Sequence, residues 1–547
     1  MSLIAGIDIG NSTTEIVVTR DGIPVAFDRR PTRGHKGSVA SVQAAAALLR
    51  SIERQHAVTV DHVVVAPWFP VTTRTATVHE AAPDTGAIQL IANATHSVTG
   101  NDSATGTPWT VTGSVPQNVD IIAAVPRHVS FSEAATLINS AIGSGARIRG
   151  VVIANDEAVL ISARVTSDIP MVDRVDLEVA LHAKKLFIEV RPAGFSVTTA
   201  TDMWALKNAL ELNDAHNEHL GLIARWVASE RAIVIGHFPD RVTPVEVTST
   251  STVTLGNGRH LDLFDCVADI AGIDVGGICE VTLENHISQV TDLWAVDLSA
   301  QLRTRGLRVD SHSRSLVIST LTGSQSLAHE NLDLMFGVPV TVGSSEAHAA
   351  RIGAHSTPGS NTEALVLDIG GGTIDLIDAR STVSAAGAGD LLTAAVSQCL
   401  DLPRGAADWI KRGPAMRVEA PSVVLTETGG RTFVDDLQKI PATLVGSLVA
   451  DGPSGYLPFG AQLAPAEWRI MRQGLKSAVL GENISRLIRS LDSTTSHDVI
   501  VVGGPAADDE LLPVVAQLSG IGGLGRGNVA GTLGHRYAVA YGLTQMA

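Results

Sequence analysis

Apolar and β-branched residues fill positions 3–9 and 14–19 on either side of a Gly-Asn-Ser-Thr turn, a pattern that predicts a hairpin, and a helix is predicted over 38–54. DHVVVAP at 61–67 reads as a buried strand. From about Pro83 to about Val242, Thr-, Ser- and Gly-rich segments alternate with apolar strands such as VDIIAAVP (119–126) and IRGVVIAN (148–155), which marks an inserted domain. Asn257-Gly258 is a hairpin turn signal. VPVTVGSSEAHAARIGA at 338–354 reads as strand, serine N-cap and helix, and EALVLDIGGGTIDLIDA at 363–379 as strand, Gly-rich turn and strand. Trp468, Met471, Leu475, Val479, Ile484, Leu487 and Leu491 recur at three- to five-residue intervals and predict a helix from about Pro465 to Leu491. HDVIVVGGPAADDELLPVV at 497–515 is strand, Gly-Gly turn, helix.

One self-similarity outweighs these elements. IAGIDIGNSTTEIVV at 4–18 and LVLDIGGGTIDLIDA at 365–379 share a strand, Asp-Ile-Gly, a hydroxyl-bearing turn and a second strand. In each, an aspartate ends an apolar strand and small residues let backbone N–H groups converge, a concave row of donors suited to phosphate oxygens. Gly10, Asn11, Ser12 and Thr13 form one such turn, and Gly370, Gly371, Gly372 and Thr373 the other. Asp8, with Asp368 or Asp375, is placed to hold Mg²⁺ and its waters, because a hard cation prefers carboxylate and water oxygens beside bridging phosphates. Gly503 and Gly504 would meet the nucleoside, with Arg472 and Lys476, one helical turn apart, flanking the base.

At about 150 residues per domain, 547 residues imply three to four domains. A net charge of −16 repels polyanions, so neither nucleic acid nor an anionic membrane is expected as a partner. Three cysteines are too few for a disulfide framework, a four-cysteine zinc site or a cysteine-ligated cluster. The N-terminus lacks the basic and apolar regions of a signal peptide, and no window offers the roughly 18 apolar residues of a membrane span, so a cytoplasmic protein is expected. His216 and His219 share a helical face, but with no third ligand they read as part of a solvated helix. No Walker A sequence or nucleophile triad is present.

In their order along the chain these elements resemble the actin, sugar-kinase and heat-shock-chaperone ATPase superfamily. EAHAARIGA at 346–354 resembles its first connecting helix, which makes Glu346 a candidate to orient an attacking water, and GHRYAVAYGL at 534–543 its second. Further segments resemble the large subunit of diol and glycerol dehydratase reactivases: GHKGS at 34–38, VVIANDEAVLISARV at 151–165, IPMVDRV at 169–175, DLWAVDLS at 292–299, AGAGD at 386–390 and RGNVAGTLGHRYAVAYGL at 526–543. The resemblance implies an α/β protein with an actin-like ATPase fold, two duplicated ribonuclease-H-like halves and an inserted swivelling β/α domain. The expected division is 1–84, first part of the ATPase domain; 85–243, insert; 244–362, remainder of the first half with linker segments; 363–547, second half.

The resemblance also implies a slow ATPase acting as a chaperone-like factor, with ATP or ADP as ligand. It would release damaged cobalamin from an inactivated adenosylcobalamin-dependent dehydratase so that intact cofactor can bind. A small partner subunit would complete a heterotetramer of two large and two small chains. The family's metal site at the subunit boundary carries over to Asp156, Asp173 and Thr105, three oxygen ligands that suit Mg²⁺ or Ca²⁺. Lys36 in GHKGS is a candidate phosphate contact. Two departures stand out: Pro505 and Ala506 follow Gly504 where the family usually has two serines, and 300–337 matches poorly. Two other readings share the fold: a reactivase of ethanolamine ammonia-lyase and a small-molecule kinase.

Overall fold

The computed structural model describes residues 2–67, 72–80, 85–94, 98–192, 195–228, 230–241, 251–283, 286–299, 314–323, 331–434, 440–459, 463–491 and 495–547. The expected boundary at 243/244 lies outside these residues.

The duplicated sequence folds into duplicated sheets. In the first, the strands Leu3–Ile9, Thr13–Arg20 and Ile23–Pro31 form an antiparallel meander, and His62–Val65 and Val340–Val342 extend the first strand's free side in parallel. In the second, Leu365–Ile369, Thr373–Ile377 and Thr382–Ala386 form the meander, and His497–Val502 and Ile521–Arg526 extend it in parallel. Both sheets therefore have the spatial order 3-2-1-4-5. The helix Val39–His56 follows the first meander and Gly389–Leu400 the second. Ser38 caps the former by accepting from the Ser41 N–H, and its Val42, Ala45, Leu49 and Ile52 are buried against the sheet at helical spacing.

Two helices join the halves: Glu346–His355 after the last strand of the first sheet, and Ala538–Gln545 after the last strand of the second. They cross backbone to backbone. A Cβ on Gly353 would lie 2.6 Å from the carbonyl carbon of Ala538, and one on Gly542 would lie 2.6 Å from that of Ala349. Small residues at a crossing permit this approach, and Ala349, Ala350, Ala354, Ala538, Ala540 and Leu543 share one core with Val17, Val366 and Val502 from both sheets.

The insert holds an eight-stranded sheet built from residues 88–237, in the order Ile88–Ala94, Ala232–His237, Lys185–Val190, Asp102–Thr110, Asp120–Val125, Arg147–Ile153, Met171–Val172, Val98–Thr99. The long predicted helix is present as Pro465–Lys476 and Glu482–Arg489 joined by a π-helical segment, Ser477–Gly481.

Residues 252–322 do not pack as expected. The sequence reading attaches 244–362 to the first half, yet Val253, Leu263, Trp294 and Val317 share one core with Leu367, Leu391, Trp468 and Val501 of the second. A fully buried ion pair, Asp292 to Arg486 at 2.6 Å, helps set this arrangement. Asp292 also accepts from Ala386 N–H, while Asn483 donates to the Ala386 and Gly387 carbonyls. The strand Thr72–His79, just before the insert, pairs with Ser315–Thr322 in the same region.

Candidate functional site

The two Asp-Ile-Gly turns are closed in the same way. Gly10 N–H donates to Thr13 O at 2.9 Å, and Gly370 N–H donates to Thr373 O at 2.9 Å. Register places Asp8 opposite Glu15 and Asp368 opposite Asp375. The turn threonine bonds the second carboxylate in each hairpin: Thr13 Oγ1 to Glu15 at 3.3 Å and Thr373 Oγ1 to Asp375 at 3.2 Å. Each hairpin thus presents a cross-strand pair of carboxylates on one face.

The turns meet across a cleft. A Cβ on Gly371 would overlap Ser12 Oγ and lie 3.1 Å from Asp390 Oδ2, so the second turn passes the first there only because residue 371 has no side chain. Loop 387–390 reinforces the second turn: Gly387 N–H donates to Gly372 O at 3.0 Å and Asp390 N–H to Gly371 O at 2.7 Å. Gly503, at φ +89, brings the next strand end against the second hairpin, with Asp368 and the Ile369 carbonyl where its Cβ would be. From the first connecting helix Glu346 meets Lys36, whose Nζ is 2.6 Å from Glu346 Oε2.

Five carboxylates therefore surround one cleft: Asp8, Glu15, Glu346, Asp368 and Asp375. Burial pushes Asp8 well above the usual carboxylate range, and Glu346 adds to this. Burial raises Asp368 to about 8, with Asp375 and Glu346 contributing. Glu15 rises to about 7 by burial against the pull of Arg536. Asp375 rises to about 6, since burial outweighs its hydrogen bond from Ser384. The Lys36 ammonium is held more tightly than usual because Glu346 and Asp8 outweigh its burial. Asp8 Oδ1 is buried with no hydrogen-bond partner, as is suited to a cation's water. Among the described residues no three His, Cys, Asp or Glu side chains can hold a metal ion by themselves.

Three expected site residues sit elsewhere or do other work. Arg472 and Lys476 are fully buried and occupied by carboxylates. Arg472 bonds Glu427 at 2.6 and 3.0 Å and Glu510 at 2.5 and 2.7 Å, while Lys476 bonds Asp508 at 2.6 Å and Glu510 at 2.7 Å. Their hydrogen bonds with Arg472 and Lys476 hold Glu510, although partly buried, down at about 2. This network ties the long helix to the 426–430 turn and to the segment after Gly504 in place of a base contact.

Thr105 is the second correction. It pairs with Phe187, and its strand meets Asp120–Val125 only from Thr107 opposite Ile121 onward. Asp156 and Asp173 follow the opposite, C-terminal ends of the parallel strands, so the run Ile121–Val125, roughly 13 Å at strand rise, intervenes. The two aspartates do meet. Asp173 is buried, its Oδ2 has no partner, and burial with Asp156 beside it raises it to about 7. Arg174 pairs with Asp156.

The sequence reading missed Glu15. Aligning the two hairpins sets Asp8 on Asp368, Thr13 on Thr373 and Glu15 on Asp375, so the signal was present in the duplication. Arg536 was missed also; its Nη2 donates to Gly504 O at 3.4 Å and its Nη1 is 4.0 Å from Glu15.

Comparison with known proteins accounts for both the cleft and the insert. Residues 279–547 match the diol dehydratase reactivase ATPase-like domain, and residues 93–241 match the swiveling domain of the same reactivating factors. The chain belongs to the diol dehydratase reactivase family. Within it, the chain is 26% identical to the propanediol dehydratase-reactivating factor large subunit of Citrobacter freundii, covering 99% of this chain and 98% of that one. It is also 26% identical to the diol dehydratase-reactivating factor large subunit of Klebsiella michiganensis, with the same coverage. The reactivase fold is shared with the nucleotide-free diol dehydratase-reactivating factor, with a TM-score of 0.58 at 24% identity over 100% of this chain and 99% of that one. For a glycerol dehydratase reactivase the TM-score is 0.59 at 21% identity, over 99% of each chain. Among the described residues of this family member, no helix is long and apolar enough to cross a membrane.

Proposed function

We propose that the chain is the large subunit of an ATP-dependent reactivating factor that releases damaged cobalamin from an inactivated adenosylcobalamin-dependent diol or glycerol dehydratase, so that intact cofactor can bind. The observation that carries this reading is the pair of facing carboxylate hairpins in a chain that also matches the family's swiveling domain. In this reading a nucleotide's phosphates lie along the turns Gly10–Thr13 and Gly370–Thr373, and water is the second reactant.

In this reading ATP turns over slowly, and its hydrolysis drives conformational and subunit exchange with the client. Asp8, Asp368 and Asp375 hold Mg²⁺ through its waters, and the ion would neutralise charge developing on the phosphates. Lys36 contacts phosphate, and Glu346 orients the attacking water. Gly503 and Gly504 lie along the nucleoside. Asp156 and Asp173, the latter with a buried Oδ2 that has no partner, would hold Mg²⁺ or Ca²⁺ where a small partner subunit docks, in a cytoplasmic assembly of two large and two small chains. The 85–243 segment is the unit that swivels.

The test mixes the purified chain and its small subunit with cyanocobalamin-blocked diol dehydratase, ATP, Mg²⁺ and fresh adenosylcobalamin, and follows aldehyde formation. Activity is expected to return only when all components are present. No recovery with a verified client would remove the assignment.

A further inference from the structure

We propose that Arg536 binds the phosphates of the nucleotide from the Gly503-Gly504 side of the cleft, and that Glu15 holds its guanidinium there before the nucleotide arrives. This rests on the nucleotide-binding reading of the same cleft.

The wall after the strand His497–Val502 is poor in donors. Pro505 has no N–H, the Gly503 N–H is taken by His535 O, and neither Pro505 nor Ala506 has a polar side chain, so few donors remain on this turn for a phosphate. The Pro505 ring fills the space beside loop 387–390, where a Cβ on Gly389 would come within 3.3 Å of its Cγ. A donor has to come from another segment.

Residues 535–536 are docked on this turn. Gly503 N–H donates to His535 O at 3.0 Å, and His535 Nδ1, the donor because its partner is a carbonyl, bonds Gly503 O at 2.8 Å. That anchor aims Arg536 across the cleft floor. Its Nη2 reaches Gly504 O at 3.4 Å and its Nη1 stops 4.0 Å from Glu15 Oε1, on the strand opposite Asp8. The guanidinium therefore spans the adenosine turn and the first phosphate hairpin, the two walls between which a pyrophosphate must lie.

The charge balance points the same way. A polyanion entering beside Asp8, Glu15, Glu346, Asp368 and Asp375 needs cations, and Lys36 is already closely paired with Glu346. Arg29, which also acts on Glu15, is exposed on its strand. Arg536 makes only long contacts, while a guanidinium has five donors in a fork that matches phosphate oxygens. It is three-quarters covered by protein, so its charge is incompletely hydrated.

Isothermal titration of the full chain with ADP, AMP and adenosine tests this. Arg536→Ala should weaken ADP binding by about tenfold or more, as expected for a lost charge-assisted bond, and leave adenosine binding unchanged. Arg536→Lys should recover part of the loss. Glu15→Gln should weaken ADP binding by less than Arg536→Ala does and leave adenosine binding unchanged, since the guanidinium is no longer held in place before the phosphates arrive. Equal losses for ADP and adenosine, or ADP binding unchanged in Arg536→Ala, would overturn the proposal while leaving nucleotide binding intact. Unchanged or tighter ADP binding in Glu15→Gln would overturn the holding role. A wild-type chain that binds no ADP would overturn the underlying reading as well.

Discussion

Lys36 Nζ and Glu346 Oε2 are 2.6 Å apart, which links a loop before the first helix to the first residue of the connecting helix 310 positions later. The candidate phosphate contact and the candidate water-orienting residue thus hold each other in place. Glu346→Gln should preserve ADP binding and lower single-turnover ATP hydrolysis by about 10²-fold or more. Lys36→Met should weaken nucleotide binding and release Glu346. Hydrolysis unchanged in Glu346→Gln would remove its role.

The cleft carboxylates have a stability consequence with a definite sign. Glu15, Asp375 and Asp368 titrate at about 7, 6 and 8 in the folded chain, above their ordinary values. The folded state therefore binds more protons than the unfolded state, and stability falls as pH rises. The contribution is fully present below the ordinary carboxylate range and is lost as pH climbs from that range to the folded-state values of about 6 to 8, above which the curve levels off. Without nucleotide and with a chelator present, thermal melting should drop over that interval. Conversion of Asp368 to Asn should flatten the curve.

The Arg472 network should behave as a buried ionic cluster. Arg472 has 1% of its side-chain surface exposed and contacts Glu427 and Glu510 together. Its replacement by Met leaves both carboxylates short of their main partner, and a loss of about 3–5 kcal/mol is expected in denaturant unfolding. A change below about 1 kcal/mol would mean that solvent or Lys476 takes over the pairing.

Arg231, beside the insert's strand Ala232–His237, pairs with Asp401, the left-handed cap of the helix Gly389–Leu400. That helix starts at the Gly370–Gly372 turn, so its two ends touch the carboxylate-lined cleft and the insert. Asp401→Ala should change global stability by less than about 1 kcal/mol, because the pair is partly exposed. It should raise hydrogen exchange in the insert and uncouple that exchange from added ADP. Exchange identical to wild type would rule out a restraining role for the pair.

The hairpins were legible because glycine, an aspartate and alternating β-branched residues specify a turn locally, and the Pro465–Leu491 helix because its periodicity is long. What escaped depends on contacts far apart in sequence. The partners of Arg472 lie 38 and 45 residues away and no local pattern points to them. The Asp292–Arg486 pair, which helps draw 252–322 toward the second half, spans 194 residues. Thr105 carries an acceptable ligand atom, but sheet register alone decides which end of the strands it occupies. Glu15 differs: its role was written in the repeat, obscured by the exchange of Asp for Glu.

Gly353 and Gly542 admit a direct substitution test. Neither has a left-handed φ, so the objection to a side chain is steric alone. Gly353→Ala should separate the connecting helices and cost roughly 1–3 kcal/mol, with a weaker nucleotide effect on domain orientation seen by small-angle scattering.

Where Gly353 and Gly542 bring main chain onto main chain, the closest approach is backbone to backbone. Such a bearing carries load without teeth: turning one lobe against the other need not force bulky rotamers past each other there.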